Sequence, residues 1–136
     1  MPEQAILFDR GLILVVDDDK EFVEAVINEL GQEIPDVKFI RAYDGNEGLD
    51  KYERSNPRPA VIILDMMMPK RSGFLVLEKV KRTASGNLPL VIMVTVNEGP
   101  RHKAYAELLG TFGYIRKPFH MSVLLEAVQD ARGKIA

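Results

Sequence analysis

Residues 12–19 read Leu12-Ile13-Leu14-Val15-Val16-Asp17-Asp18-Asp19, so five apolar residues in a row stop at three carboxylates. The run is rich in β-branched side chains and shows no alternation of polar and apolar residues. Such a run predicts a strand that is covered on both faces, as in a parallel sheet. The carboxylates then stand at the carboxyl end of that strand, where open parallel α/β sheets bind their ligands.

The rest of the chain repeats this alternation. Short apolar runs follow at residues 37–40, 61–64, 90–94 and 114–115. Helical spacing of apolar residues separates them: one helix ends near Gly31, one begins at Asp44, one follows Gly73, and two cover about 101–109 and 121–132. Five strands alternating with five helices predict right-handed crossovers and a three-layer α/β sandwich. The second run alternates more than the others and predicts an edge strand, but the pattern leaves the full strand order open.

Composition narrows the class of protein. The chain has 136 residues, the size of one domain, with 46% hydrophobic and 28% charged residues, as in an ordinary globular protein. A net charge of −2 gives no support to nucleic-acid binding, and the absence of cysteine excludes disulfides and thiolate metal sites. No run is long enough to span a membrane and no signal peptide is present, so we expect a cytoplasmic protein. The expected division is an N-terminal extension at 1–10, one domain at 11–133 and a tail at 134–136.

Four strand ends deliver polar groups to one edge of the predicted sheet: Asp17 and Asp18, Asp65, Thr95, and Lys117. Neighbouring carboxylates repel one another unless a cation lies among them, and oxygen ligands of this kind suit Mg²⁺. A carboxylate beside the ion can act as a nucleophile toward phosphorus, with an ammonium and a hydroxyl to stabilise the transferred group. The set therefore predicts a phosphoryl-accepting metal site.

Each residue also has a plainer interpretation when it is taken singly. The three aspartates can serve to cap a helix, and Asp19 is predicted to do so. Thr95 can be a structural residue at a strand end, and Lys117 followed by a proline is typical of an exposed turn. The conjunction of all these groups at one edge favours the chemical interpretation over the separate structural ones.

With these residues in view, the chain resembles the CheY-like receiver family of two-component response regulators. The resemblance covers residues 12–131 and implies a flavodoxin-like (βα)₅ fold with strand order 2-1-3-4-5. It rests on four motifs: Val15-Val16-Asp17-Asp18-Asp19, Asp65-Met66-Met67-Met68-Pro69 with Gly73, Val94-Thr95, and Gly110 through Tyr114 to Lys117-Pro118-Phe119.

The resemblance implies a role for each matched residue of the acidic site. Asp65 would be the phosphoacceptor and also a ligand of Mg²⁺. Asp18 would bind the ion directly, Asp17 directly or through water, and Met67 would add its backbone carbonyl. Lys117 would pair with the phosphoryl group or, without it, with Asp65, and the peptide bond that follows Lys117 would be cis. An apolar Met67 cannot orient an attacking water, which predicts slow self-dephosphorylation.

The resemblance also implies a switch. When the phosphoryl group draws the hydroxyl of Thr95 inward, Tyr114 would fill the space and repack the face made by the fourth helix, fifth strand and fifth helix. His120 stands where the family commonly has an aspartate cap for the last helix, with Ser122 as the expected substitute.

The implied partners are a sensor histidine kinase or a histidine phosphotransfer protein, and a downstream protein or output domain. Neither nucleic acid nor membrane is expected to bind this domain directly, and a phosphorylation-linked homodimer through the same face stays open. One alternative is a phosphatase of the haloacid dehalogenase type, but Met67 stands where such an enzyme needs a second carboxylate. A flavodoxin-like nucleotide-binding domain lacks support because no glycine-rich loop follows the first strand. A receiver that never accepts phosphate is disfavoured by the complete set of charged groups.

Overall fold

The computed structural model describes residues 6–68, 72–83, 86–96 and 99–135, so Pro69 of the third-strand motif lies outside the described part. Within it, strands and helices alternate along the chain as the sequence predicts. In chain order they are β1 (Phe8–Val16), α1 (Lys20–Glu33), β2 (Lys38–Ala42), α2 (Gly45–Arg54), β3 (Arg58–Leu64), α3 (Gly73–Arg82), β4 (Leu90–Thr95), α4 (Pro100–Leu108), β5 (Gly113–Arg116) and α5 (Met121–Gly133).

The strands form one parallel sheet in the order β2-β1-β3-β4-β5. The predicted α/β fold and the strand order implied by the resemblance are both confirmed, and β2 is the edge strand that its alternating pattern predicts. The break in the order lies between β1 and β3, because the chain crosses to opposite sides of β1 to add β2 and β3. Ligands of such sheets bind beside this break, at the carboxyl ends of the strands.

Alternate residues of the strands pack into two apolar layers. On one face, Ile13, Val15 and Ile63 meet the buried side chains of α1 and α5. On the other face, Leu14 and Ile62 meet those of α2 and α3. Successive side chains of a strand point to opposite faces, so uninterrupted apolar runs are required when both faces are covered.

Helix caps fix where two of the helices begin. Asp19 caps α1 by accepting from the amide of Phe22 at 3.1 Å, and Asp44 caps α2 by accepting from the amide of Glu47 at 2.8 Å. Both caps were predicted, and such a cap stabilises a helix by about 1 kcal/mol. The expectation for the last helix is wrong: His120 occupies the cap position of α5 without a side-chain cap hydrogen bond, and Ser122 lies inside the helix.

Strand β1 corrects the expected N-terminal extension. It begins at Phe8, so residues 8–10 belong to the sheet instead of preceding the domain. Phe8 and Asp9 pair with Arg58 and Pro59 of β3, and the register then shifts before Ile13. The amide of Gly11 donates to Oδ1 of Asp9 at 2.8 Å in this irregular part. Polar residues in a bulged strand end give no apolar run, which is why the sequence pattern does not show it. The rest of the predicted division stays a prediction.

Helix α4 is the least anchored of the helices. Ala106 is its one buried residue within the described part of the chain, and Leu108 is 80% exposed. Its aromatic residue Tyr105 packs edge-to-face against Phe74 of α3 and donates a hydrogen bond from its hydroxyl to Glu78. Contacts with α3 therefore supplement the small area that α4 buries on the sheet. Among the described residues, no helix has the length and apolar character needed to cross a membrane.

Candidate phosphoryl and metal site

Backbone hydrogen bonds between neighbouring strands continue past the ends of β1, β3 and β5, to the polar residues that follow these strands. The amide of Asp17 donates to the carbonyl of Ala42 at 3.1 Å, and the amide of Asp65 donates to the carbonyl of Val16 at 3.0 Å. The amide of Lys117 donates in the same way to the carbonyl of Thr95 at 2.8 Å. Asp17, Asp65 and Lys117 are therefore each held by the neighbouring strand, at one edge of the sheet.

Three carboxylates form a cluster there. One oxygen from each of Asp17, Asp18 and Asp65 lies within 4.8 Å of the others. Asp17 and Asp65 are 2% and 6% exposed, whereas Asp18 faces solvent. Buried carboxylates at this separation repel one another, and an all-oxygen donor set open on one side fits a hard divalent cation that retains water ligands. The residues present therefore fit Mg²⁺.

Lys117 pairs with Asp17 in this cluster. Its Nζ donates to Oδ2 of Asp17 at 2.7 Å, while Oδ1 of the same carboxylate accepts from the amide of Asp19 at 2.9 Å. The expected partner of Lys117 in the absence of a phosphoryl group was Asp65, and that expectation is wrong. Asp17 is the most deeply buried of the three carboxylates. Its negative charge therefore has the least contact with water and needs the ammonium of Lys117 most. The Lys117–Pro118 bond is cis, as expected.

The pKa of Asp65 is raised to about 6. Burial is the main cause, and the negative charge of Asp17 adds to it. The charge of Lys117 and a hydrogen bond from the amide of Met67, at 3.3 Å to Oδ1, oppose the rise. Burial also raises the pKa of Asp17, against the opposing hydrogen bonds from Lys117 and Asp19. The cluster thus stores electrostatic free energy that a bound cation would release.

This raised pKa predicts how stability depends on pH. A folded-state pKa of about 6, against an ordinary 3.8, means that the folded protein holds the Asp65 proton more firmly than the unfolded chain does. The contribution of Asp65 to stability is therefore fully present below about pH 4 and is lost as the pH rises through about 6. We expect the carboxyl carbon of Asp65 to titrate near pH 6 by NMR, and a midpoint at or below 4 would contradict this.

The beginning of α3 lies unusually close to the backbone of the acidic cluster. The amide of Gly73 donates to the carbonyl of Met66 at 2.9 Å. A Cβ on Gly73 would overlap the carbonyl oxygen of Asp65 and lie 2.7 Å from Cα of Met66. No larger residue fits at this approach, so glycine is required by space, with no need of an unusual backbone angle. Ser72 caps the helix that follows.

Thr95 and Tyr114 lie on the same face of the sheet. Tyr114 pairs in register with Met93, two residues before Thr95, and residues two apart on a strand share a face. Thr95 is fully buried, and Tyr114 is half-buried against the apolar layer of that face. Tyr114 also lines a cavity of about 230 Å³ between α4 and β5, and burial raises the pKa of its hydroxyl. The two residues therefore share one face of the sheet, and their role as a switch stays a prediction.

Phe22 is a site residue that sequence reasoning missed. The Nζ of Lys117 lies 4.1 Å from the centre of the Phe22 ring. In the sequence, Phe22 is one of the apolar residues at helical spacing in α1, and that pattern indicates only a core position. Its position five residues after Asp17, in the first turn of a helix that starts at the site, is the signal that would have marked it.

Comparison with known proteins agrees with this geometry. Residues 13–129 match the family described as the response regulator receiver domain. The chain is 32% identical over 117 residues to the transcriptional regulatory protein CiaR of Streptococcus pneumoniae; the match covers 86% of this chain and 49% of CiaR, so the chain spans about half the length of that relative. It is 28% identical over 120 residues to protein PilG of Pseudomonas aeruginosa, covering 86% of this chain and 84% of PilG. The crystal structure of a CheY-like receiver domain protein from Methanospirillum hungatei JF-1 aligns with a TM-score of 0.82 at 26% identity, covering 91% of this chain and 94% of that one.

Proposed function

The chain belongs to the response regulator receiver family of two-component signalling, and from this premise we propose that it is a switch operated by phosphorylation of Asp65. The observation that carries the proposal is the junction of Asp65 with two further carboxylates and the ammonium of Lys117 at one edge of the sheet. Asp65 is the nucleophile in this proposal, because both oxygens of Asp17 already accept hydrogen bonds, from Lys117 and from the amide of Asp19, and Asp18 faces solvent.

In the transfer, an oxygen of Asp65 forms a bond to phosphorus as the bond from phosphorus to the donor breaks. The donor is a phosphohistidine of a sensor kinase or a phosphotransfer protein. The histidine nitrogen that is released takes a proton from solvent. Asp17, Asp18, Asp65 and the backbone carbonyl of Met67 would hold Mg²⁺, which when bound neutralises charge on the carboxylates and the phosphoryl oxygens. Lys117 supplies positive charge from the side of β5.

After transfer, the phosphoryl group offers its oxygens to the hydroxyl of Thr95. Movement of this buried hydroxyl vacates space on the face that it shares with Tyr114, and the tyrosine ring moves to fill it. We propose that the readout is a changed surface on α4, β5 and α5, which binds a downstream protein, an output domain or a second copy of the chain. The exposed Leu108 on α4 and Val123 on α5 give that surface apolar contacts.

Acetyl phosphate provides the direct test. With Mg²⁺ present, the protein is expected to gain one phosphoryl group by intact mass, and hydroxylamine is expected to remove it, because an acyl phosphate is labile to this nucleophile. Excess chelator should prevent the gain. Peptide mapping should place the group on residue 65. No gain of mass, or a stable phosphate on another residue, would count against the proposed function.

Beryllofluoride tests the switch. Its complex with Asp65 and Mg²⁺ imitates the phosphoryl group, so amide signals of Thr95, of Tyr114 and of α5 are expected to shift in NMR spectra. Signals from the middle of β2, at the opposite edge of the sheet from β5, serve as the internal control and should stay in place. Shifts confined to the acidic cluster would remove the support for a switch through Tyr114.

Met67 is expected to prolong the phosphorylated state. Its side chain is 55% exposed, two residues after Asp65, and its thioether cannot orient a water for attack on the acyl phosphate. The phosphoryl group should therefore be lost over minutes or longer. Met67→Asn should speed this loss about fivefold, because one added hydrogen bond contributes about 1 kcal/mol. The measurement is loss of phosphate from the isolated protein, with Met68→Asn beside it as the matched control. Decay of the original protein within seconds would contradict the expectation.

A further inference from the structure

The ammonium of Lys117 lies between a carboxylate and an aromatic ring. Its Nζ is 2.7 Å from Oδ2 of Asp17 and 4.1 Å from the centre of the Phe22 ring. A cation within about 6 Å of a ring centre is attracted by the π electrons of its face. The ring is therefore close enough to bind the charge of Lys117, beyond packing against its carbon stem.

The Phe22 ring is held from two sides. Its own amide donates to the cap Asp19 at 3.1 Å, which fixes the backbone of Phe22 in the first turn of α1. Phe119, two residues after Lys117, packs edge-to-face on the ring with the centres 6.1 Å apart and an angle of 81° between the planes. The ring thus joins the beginning of α1 to the loop between β5 and α5, with contacts on two sides.

A fixed ring has a specific use at this place. Lys117 has a flexible four-carbon stem, and its side chain is 18% exposed, so water competes for the ammonium. If Asp65 becomes phosphorylated, the ammonium has to turn from Asp17 toward the phosphoryl oxygens. A hydrogen bond holds its donor in one direction, whereas the face of a ring attracts a cation without such a direction. The ring can therefore keep the ammonium in the site while it turns from one anion to the other.

We propose that Phe22 is a positioning residue for Lys117, and that the π electrons of its ring hold the ammonium at the site during phosphoryl transfer. The proposal rests on the proposed function of Lys117 and adds a residue to it. Phe22 itself touches neither phosphorus nor its oxygens. It acts by keeping the Lys117 side chain in place, so that this side chain loses less conformational entropy when it binds the transferring group.

Fluorination of the ring tests the proposal, because it withdraws π electrons while it nearly preserves shape. A series with one, two and three fluorines at Phe22 is expected to slow phosphorylation by acetyl phosphate stepwise, roughly three- to tenfold at full substitution. Phe22→Leu, which keeps an apolar side chain, should slow it similarly. The same fluorines at Phe39, a half-buried ring of the same apolar layer, should leave the rate unchanged. Equal rates along the Phe22 series would overturn the proposal.

A second readout is independent of phosphorylation. A lysine stem near the face of a ring has its Cε protons shifted upfield by the ring current, so this shift is expected for Lys117 and should be lost in Phe22→Leu. Absence of the shift in the original protein would show that the contact does not form, which also overturns the proposal. If the shift is present but the protein gains no phosphate at all, the proposed function fails instead, and the positioning role falls with it.

Discussion

Asp65→Asn is expected to take up no phosphoryl group and, at the same time, to be more stable than the original protein at pH 7. The first effect follows because an amide oxygen is too weak a nucleophile for phosphorus at neutral pH. The second follows because the substitution removes a buried charge that Asp17 repels and that burial disfavours. A pKa raised from 3.8 to about 6 corresponds to at most about 3 kcal/mol of destabilisation at pH 7.

Two measurements check this prediction together. Intact mass after acetyl phosphate treatment should show no gain, and urea unfolding at pH 7 should show a free energy of unfolding about 1–3 kcal/mol higher. The excess should shrink as the pH falls from about 6 toward 4, since the folded protein then holds Asp65 in its protonated, uncharged form. Asp130→Asn, at an exposed position of α5, is the matched control and should behave as the original protein in both assays. A less stable Asp65→Asn protein would show that the carboxylates are not in electrostatic conflict.

Gly73→Ala is expected to be among the most destabilising single changes in this chain. The added Cβ overlaps the carbonyl oxygen of Asp65 and lies 2.7 Å from Cα of Met66. Both neighbours are backbone atoms, and the amide of Asp65 is tied to Val16, so neither can move without breaking strand pairing. We expect a loss of about 3 kcal/mol or more in the free energy of unfolding.

Displacement of the backbone at residues 65–66 should also reach the acidic cluster. Any Gly73→Ala protein that folds is expected to bind Mg²⁺ more weakly and to take up phosphate more slowly, because the proposed function assigns both to the residues at this backbone. Gly133→Ala is the control: it lies at the end of α5 with nothing within 4 Å of an added Cβ, and it should be neutral or stabilising by up to about 1 kcal/mol. Equal stability of the two variants, measured by urea unfolding, would rule out the overlap.

Much of the site could be predicted because parallel strands align their carboxyl ends. Once residues 12–16, 61–64 and 90–94 are read as neighbouring strands, the residues that follow them must lie together. The caps Asp19 and Asp44 are local in sequence, so they were predictable as well. The strand order was not available from the pattern, because apolar runs of equal character can be ordered in several ways; the family resemblance supplied it.

The contacts of Lys117 show where sequence reasoning stops. Its distance along the chain from Asp17 and Phe22 is about one hundred residues, and several side-chain conformations would bring its ammonium to either Asp17 or Asp65. The choice depends on which carboxylate is more completely removed from water, and burial at the level of single atoms has no signature in a sequence. The irregular beginning of β1 was missed for a related reason, since its residues Asp9, Arg10 and Gly11 form no apolar run.

Because α4 buries little area on the sheet, little free energy is needed to displace this helix. Ala106 is the one residue that α4 buries within the described part of the chain, so displacing this helix costs little burial. Under the proposed function, we therefore expect a minor displaced population before Asp65 is phosphorylated. A coupling of about 1–3 kcal/mol, typical of communication between sites, changes the ratio of two arrangements about 5- to 150-fold. Under the proposed function, we therefore expect the output to rise with the fraction of phosphorylated protein and to be above zero without phosphate.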